Sequence, residues 1–442
     1  MEGAPAMRIG ILGSGASATL LATSLARSGE ELDLFCFDDH PLGSTLAFDP
    51  TSEAGECNTS ASVNRSYLRG LGANHPETDP EVFPPRCTIG REIVQAAAEV
   101  RGSPTTALHE NLGKVETAEH SPSGITVHPQ DGTPVTGLSR IYLCRGLSEP
   151  KIPATFTHIA DHPAVVTDPY PLSDTVTRLT GQDVLVVGTN LSAVEIALEL
   201  VDHGGTVTMA SRQGLLPSVR RVLPDDPDLM AEWRRRLAGD IPSSAEETAT
   251  LIVRSAAELD RPFPTDDPTK TPRKDLLEKE IDDCDRETHW SELIIPLARV
   301  LNRSPEAARP GSEAMEGPPL RRYTNAIPLD TACRLRQALT EETLRITTIG
   351  PLLEAGELAD FRLDDLDRPR RFDAVVLACG WELPGPVPGL PDRWVSGRSS
   401  DLRRTGPWAV PIGIEAHDVL AVPNGLFAAE DQIRGLATAG LL

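Results

Sequence analysis

Paired cysteines are missing from this chain. Its seven cysteines, Cys36, Cys57, Cys87, Cys144, Cys284, Cys333 and Cys379, are scattered and no two are spaced as CxxC. Neither a dithiol redox centre nor a zinc ribbon is therefore encoded. Thiols so placed read as buried or idle ones in a reducing compartment. None of the ten histidines stands at a metal-ligand spacing, and no nucleophile elbow serves a Ser-His-Asp arrangement, which sets hydrolase and metalloenzyme classes aside. No run of about 18 apolar residues occurs, and MEGAPAMRIG lacks a charged-then-apolar leader, so a cytoplasmic protein without a membrane is expected. Positive charge is in deficit: 42 Lys and Arg face 65 Asp and Glu, for a formal net charge of -23. Such a surface keeps the chain soluble and repels nucleic acid.

What is present is one device used twice. RIGILGSGASATLLATSLARSGEELDLFCFDD (Arg8 to Asp39) and VLVVGTNLSAVEIALELVDHGGTVTMASRQG (Val184 to Gly214) each read as apolar strand, glycine turn, helix and second strand. The first turn, Gly13-Ser14-Gly15-Ala16-Ser17-Ala18, fits GxGxxG/A. Gly13 permits the sharp turn and Gly15 lets backbone N–H groups, with those of Ala16 and Ser17, approach a pyrophosphate at the helix's positive end. The second strand ends in Asp38 and Asp39, where a carboxylate binds ribose hydroxyls. A glycine turn serving packing alone is the plain alternative.

The second turn, Gly188-Thr189-Asn190-Leu191-Ser192-Ala193, keeps the first glycine and puts Asn190 in the second position. Asparagine tolerates unusual backbone angles, and its amide, with Thr189 and Ser192, is a candidate ligand contact. Its second strand ends in Ser211 and Arg212, which suit the 2′-phosphate of NADP where an acid would repel it; a solvated surface arginine is the alternative. The first copy is thus expected to hold FAD and the second NADPH, so that a hydride crosses between them.

Around these units, residues 38–86 are rich in Gly, Asn, Ser and Pro and read as surface chain. A helix is expected over 90–100, short antiparallel strands through GITVHPQDGTPVTGL, and a buried strand over 140–144. Residues 224–319 are charged and interrupted by proline, a mostly helical lid. TACRLRQAL, LRITTIGPLL and FDAVVLACG resume an α/β pattern, and NGLFAAEDQIRGLATAGLL reads as strand, acidic turn and helix. The expected fold is α/β with two Rossmann-like dinucleotide-binding domains: FAD over 7–175 completed by 383–442, NADPH over 180–222 completed by 323–382, and a helical insertion over 223–322.

In their order, GSGASATLLATSLA, GSTLAF, CNTSAS, FPPRCTIGREI, RIYLCRG, VVGTNLSAVEIALEL with SRQGLLP, and DAVVLACG with FAAEDQIRG resemble the FAD-NAD(P)-binding two-dinucleotide flavoproteins, relatives of the class B flavin monooxygenases and amino-acid N-hydroxylases. The resemblance implies that Ser44 and Thr45, in Gly43 to Phe48, lie near the flavin. It implies the same of Asn58 and Asn64, as donors to flavin or hydroperoxide oxygens, against a reading as loop-closing turn residues. Arg86 would contact a phosphate or the flavin, or be an ordinary surface arginine. Asp431 would bond the ribityl chain, although Glu430 stands where the family has glycine; Cys144-Arg145 likewise replaces Ala-Thr. Arg322 and Asn325, in RRYTNAIPL, are candidates for a substrate carboxylate or NADPH.

The implied reaction is reduction of FAD by NADPH, reaction with molecular oxygen to a flavin C4a-hydroperoxide, and oxygenation of a small molecule. Amine N-hydroxylation in secondary metabolism ranks first, and Baeyer-Villiger or sulfur oxidation next. An NADPH-dependent flavin reductase without oxygen insertion and a non-catalytic nucleotide-binding scaffold stand as alternatives.

Overall fold

The computed structural model describes residues 6–53, 55–73, 79, 81–224, 226–237, 244–264, 268–302, 313–315, 317, 320–349, 362–365, 368–390, 408–416, 426–440 and 442. Strand β1 (Met7–Leu12) passes through the first glycine turn into helix α1 (Ala16–Ala26) and β2 (Leu32–Phe37), which lies parallel to β1 with Met7 opposite Leu32. Helices α2 (Ala61–Leu71) and α3 (Arg86–Arg101) precede β3 (Thr106–His109). An antiparallel sheet of β4 (Val115–Ser121), β5 (Gly124–Pro129) and β6 (Val135–Leu138) then leads to β7 (Arg140–Leu143) on the far side of β1. The runs RIGIL and LFCF have no polar alternation because parallel strands are covered on both faces.

The second unit opens with β8 (Val165–Val166) and α4 (Leu172–Leu179), then β9 (Asp183–Val187), α5 (Leu191–Asp202) and β10 (Thr206–Ser211). A two-stranded parallel ribbon joins β11 (Val219–Arg220) to β12 (Ile327–Pro328) across the intervening insertion. Next come β13 (Leu344–Thr348), a hairpin of β14 (Arg362–Asp365) and β15 (Arg368–Arg371), and β16 (Ala374–Leu377). Strand β17 (Ala409–Pro411) returns to the first unit beside β7. Among the described residues the two main sheets are five-stranded and parallel, ordered β17-β7-β1-β2-β3 and β13-β10-β9-β16-β8. This is the two-unit Rossmann-like α/β fold the motifs imply.

The insertion contributes α6 (Pro227–Leu237), α7 (Ala245–Glu258), α8 (Arg273–Asp283), α9 (Ile294–Asn302) and the short α10 (Arg321–Thr324); α11 (Leu329–Thr340) and α12 (Leu426–Thr438) belong to the units on either side. The insertion's core holds a buried Trp233 and an aromatic cluster in which the Phe263 ring lies 4.8 Å from Tyr323 and 5.8 Å from Trp290, spacings that favour tilted aromatic packing. Val63 of α2 and Phe427 and Ala428 of α12 share that core, whereas Leu277 and Ile281 of α8 pack into the core of the second unit. The insertion therefore spans both units.

Three expectations need correction. Strand β8 pairs with β16 in the second sheet, so that unit begins ahead of residue 175. Residues 61–71 form a helix because Val63, Tyr67 and Leu71 recur at helical spacing and are buried. Glu430 and Asp431 lie inside α12, not in a turn before it, since apolar Phe427, Ala428, Ile433 and Leu436 already follow a helical period there.

Candidate functional site

Each glycine turn is shaped by a backbone carbonyl of the neighbouring strand's exit. Gly13 has φ 107°, and a Cβ there would stand 2.3 Å from the Cys144 oxygen. Gly188 has φ 134°, and a Cβ there would stand 2.4 Å from the Ala378 oxygen. Only glycine fits such a contact at positive φ. No side chain caps the leading N–H groups of helices α1 and α5 and no acidic residue stands in their first turns, an arrangement that fits a pyrophosphate.

The second positions differ from expectation. Asn190 has φ -89° and ψ -172°, ordinary extended backbone, so the residue does not carry the unusual angle; Gly188 does. Gly15 is likewise extended, at φ -77°, and a Cβ there would meet nothing nearer than the Ser44 oxygen at 3.6 Å. Gly15 thus serves approach rather than turning. The Gly43 amide donates to the Ser14 carbonyl at 2.8 Å, which brings Ser44 and Thr45 beside the first turn along with Ala16 and Ser17. Asp38 and Asp39 follow β2, with Asp38 Oδ1 accepting from the His40 amide and Asp39 within 3.7 Å of Lys114.

At the end of β10, the Ser211 hydroxyl accepts from the Gly214 amide at 2.9 Å and contacts the Thr189 hydroxyl at 3.0 Å; Thr189 donates to the Leu215 carbonyl at 2.6 Å. Thr189 and Ser211 thus brace the loop that presents Arg212, which is exposed. Arg273, at the start of α8, reaches the same loop through the Gln213 carbonyl at 3.4 Å.

The remaining sequence candidates divide. Asn58 lines a cleft between the two units with Glu56, Arg86, Glu195, Glu199 and Arg334, and its carbonyl accepts from Arg220 at 2.8 Å. Arg220 is buried, donates also to the Thr324 carbonyl at 3.0 Å and leaves its Nε without a partner. Burial alone pulls its guanidinium down to about 9. Asn64 is buried within α2 and its side-chain amide is engaged by Thr59, through 2.9 and 3.0 Å bonds to hydroxyl and carbonyl, which closes the local turn.

Arg86 is not an exposed surface arginine: it pairs with Glu195 at 3.2 Å and donates to the Glu56 carbonyl at 3.1 Å. Arg322 is spent on the buried Glu280 at 3.0 Å and on the Leu216 carbonyl at 2.9 Å. It fastens α8 to the loop before β11 rather than awaiting a carboxylate. Asn325 ends α10, its amide donating to the Arg321 carbonyl at 3.2 Å. Asp431 is held by Arg299 of α9, whose side chain is 3% exposed, and by Arg434 at 2.6 Å. The Asp431 carboxylate thus bolts the insertion to α12.

Sequence reasoning passed over Glu195, Tyr170 and Arg220. The signal for Glu195 was an acid in the first turns of the largely apolar run VEIALEL, which also holds Glu199. Burial pushes the Cys36, Cys57 and Cys284 thiols up to about 12, so none offers a thiolate. Among the described residues no cluster of His, Cys, Asp or Glu could hold a metal ion, and no helix is long and apolar enough to cross a membrane.

Residues 10–148 match the model of a family described as FAD-NAD(P)-binding. The chain carries an FAD-NAD(P)-binding domain. The resemblance read from its motifs therefore holds, and FAD and NAD(P) are its cofactors. No curated protein matches the chain. The fold is similar to that of the ornithine hydroxylase PvdA from Pseudomonas aeruginosa, at 13% identity over 98% of both chains with a TM-score of 0.53. It is similar also to OTEMO in complex with FAD and NADP, at 14% identity over 99% of this chain and 86% of that one, TM-score 0.50. The flavoprotein disulfide reductase RclA from Escherichia coli follows at 14% identity, 98% and 71% coverage and a TM-score of 0.47.

Proposed function

We propose that the protein is an FAD- and NADPH-dependent monooxygenase that oxygenates a small amine, N-hydroxylation being the preferred reaction. The observation that carries this reading is the unequal finish of two otherwise equal cradles: Asp38 and Asp39 close the first, Ser211 and Arg212 the second. An acid at the strand end receives ribose hydroxyls, and a guanidinium there receives a 2′-phosphate. The end-to-end likeness of fold to an ornithine hydroxylase, over 98% of both chains, is in keeping with an amine substrate.

In this reading the amides of Gly15, Ala16 and Ser17 hold the FAD pyrophosphate, while Gly188, Thr189, Asn190 and Ser192 frame that of NADPH. Arg212 selects the phosphorylated dinucleotide, and Asn58 borders the cleft where substrate and flavin meet. Bound FAD supplies the electron storage and oxygen activation that no side chain of the chain offers.

The test is anaerobic reduction of the FAD-loaded protein by NADPH, followed by labelled molecular oxygen and a panel of primary amines. Bleaching of flavin bands at roughly 380 and 450 nm, with one labelled oxygen atom in a hydroxylamine product, is the expected result. Reoxidation that yields only hydrogen peroxide with every amine would assign the protein to the reductases instead.

A further inference from the structure

A buried polar network crosses the boundary between the two nucleotide units, and the proposed reaction gives it no role. From the first unit, Arg86 at the start of α3 pairs with Glu195 Oε2 at 3.2 Å and donates from Nε to the Glu56 carbonyl at 3.1 Å. From the second unit, the Tyr170 hydroxyl donates to the same Glu195 oxygen at 2.9 Å. It also hydrogen-bonds Arg86 and Ser192 in the first turn of α5. The other oxygen of Glu195 lies so close to Gly55 that a Cβ there would come within 2.1 Å. Beside it, the Thr331 hydroxyl of α11 reaches Glu56 Oε2 at 3.3 Å. The Arg86 and Glu195 side chains are only 21% and 11% exposed.

Such an arrangement is poor value as mere glue. Desolvating a carboxylate and a guanidinium roughly cancels their attraction, and apolar residues of the same shape hold an interface as well or better. The network does something a leucine contact would not. It fixes one register between residues 55–58, which border the cleft, and the first two turns of α5, the helix whose amino terminus frames the second cradle. Hydride transfer needs donor and acceptor at about 3–3.5 Å, and a misplacement of about 1 Å costs on the order of 100-fold in rate.

We propose that Arg86, Glu195 and Tyr170 are positioning residues for hydride transfer, setting the second unit against the first. This rests on the two-cofactor reading. A pH dependence follows. The groups facing Glu195 are Arg86, the Tyr170 hydroxyl, Glu199 and Glu56, and burial outweighs the pull of Arg86 to raise the Glu195 carboxyl above its ordinary value. Acidification therefore neutralises Glu195 earlier than an ordinary glutamate and leaves Arg86 uncompensated.

The experiment uses the FAD-loaded full chain. NADP+ affinity is read from flavin fluorescence, and the limiting rate of flavin reduction from anaerobic rapid mixing with NADPH. Glu195→Gln and Tyr170→Phe are expected to keep flavin content and to keep NADP+ affinity within about threefold, while the limiting rate falls about 10- to 100-fold. Reduction by dithionite should be unchanged. Glu195→Gln should also erase the acid limb of the wild-type rate profile, and its combination with Arg86→Gln should add little to either single change.

Weakened NADP+ binding at an unchanged limiting rate would overturn the proposal and make these residues binding elements; an unchanged rate and pH profile would overturn it outright. Should Glu195→Gln fail to fold, Tyr170→Phe, which removes one hydroxyl, decides by the same rate. If NADPH leaves the wild-type flavin oxidised, the two-cofactor reading itself fails, an outcome distinct from a reducible wild type with indifferent variants.

Discussion

In the first unit Gly13 faces the Cys144 carbonyl, and in the second Gly188 faces that of Ala378, at nearly equal separations. Helices α1 and α5 then start alike, uncapped and free of acid in their first turns. The units part company in two places. Gly15 leaves the mouth of its helix bare, whereas Asn190 puts a side chain at the same point; and one second strand ends in acids, the other in a serine and an arginine. The turn is a backbone matter, common to any dinucleotide, while the identity of the ligand is decided some 20 residues later in the chain.

The sharpest way to break this comparison is to add one methyl group to each turn. In Gly13→Ala the new Cβ meets a backbone oxygen that cannot rotate away, and positive φ alone costs about 1–2 kcal/mol. The expected outcome is loss of bound flavin and a lowered Tm. Gly188→Ala carries the same strain at the other cradle, so it should keep its flavin and lose reduction by NADPH by more than about 100-fold. Flavin spectra, thermal melts and anaerobic reduction separate the two. A Gly188→Ala protein without flavin and a Gly13→Ala protein that retains it would reverse the assignment of the cradles.

A smaller effect concerns the charged anchor that fastens the insertion to α12 beside the apolar core they share. Asp431 joins α12 to Arg299 of α9, and removing one member of a buried pair costs about 3 kcal/mol. Asp431→Ala should therefore lower stability to denaturant by about that amount, with flavin content of the folded fraction unchanged. Unchanged stability with weakened flavin binding would return Asp431 to the ribityl role that the resemblance gave it.

These corrections show where sequence is legible. Local periodicity and glycine punctuation are written in consecutive residues, so both strand-turn-helix-strand units and most helices can be placed from them. The helix over 61–71 was legible too, in Val63, Tyr67 and Leu71, but the abundance of Gly, Asn and Ser around it masked the period. Partnership is another matter. Whether Arg86, Arg322 and Asp431 face a ligand or another side chain depends on Glu195, Glu280 and Arg299, which stand 109, 42 and 132 positions away. A motif reports a residue's type and place but not which distant carboxylate or guanidinium has already claimed it.

The mildest test sharpens the difference between the strand ends. Arg212 is exposed at the end of β10, and Arg273 approaches the same loop from α8, whereas Asp38 and Asp39 occupy the matching place in the first unit. A charge-assisted contact to a phosphate is worth roughly 1.5–3 kcal/mol, and each 1.4 kcal/mol is tenfold. Arg212→Ala should therefore lower kcat/KM for NADPH about 10-fold and leave NADH nearly untouched, so that the preference shrinks by the same factor. Adding Arg273→Ala should shrink it further only if both guanidinium groups reach the 2′-phosphate. If the single change weakened NADH and NADPH equally, Arg212 would be bracing the loop, and the choice of dinucleotide would have to lie elsewhere than at the strand end.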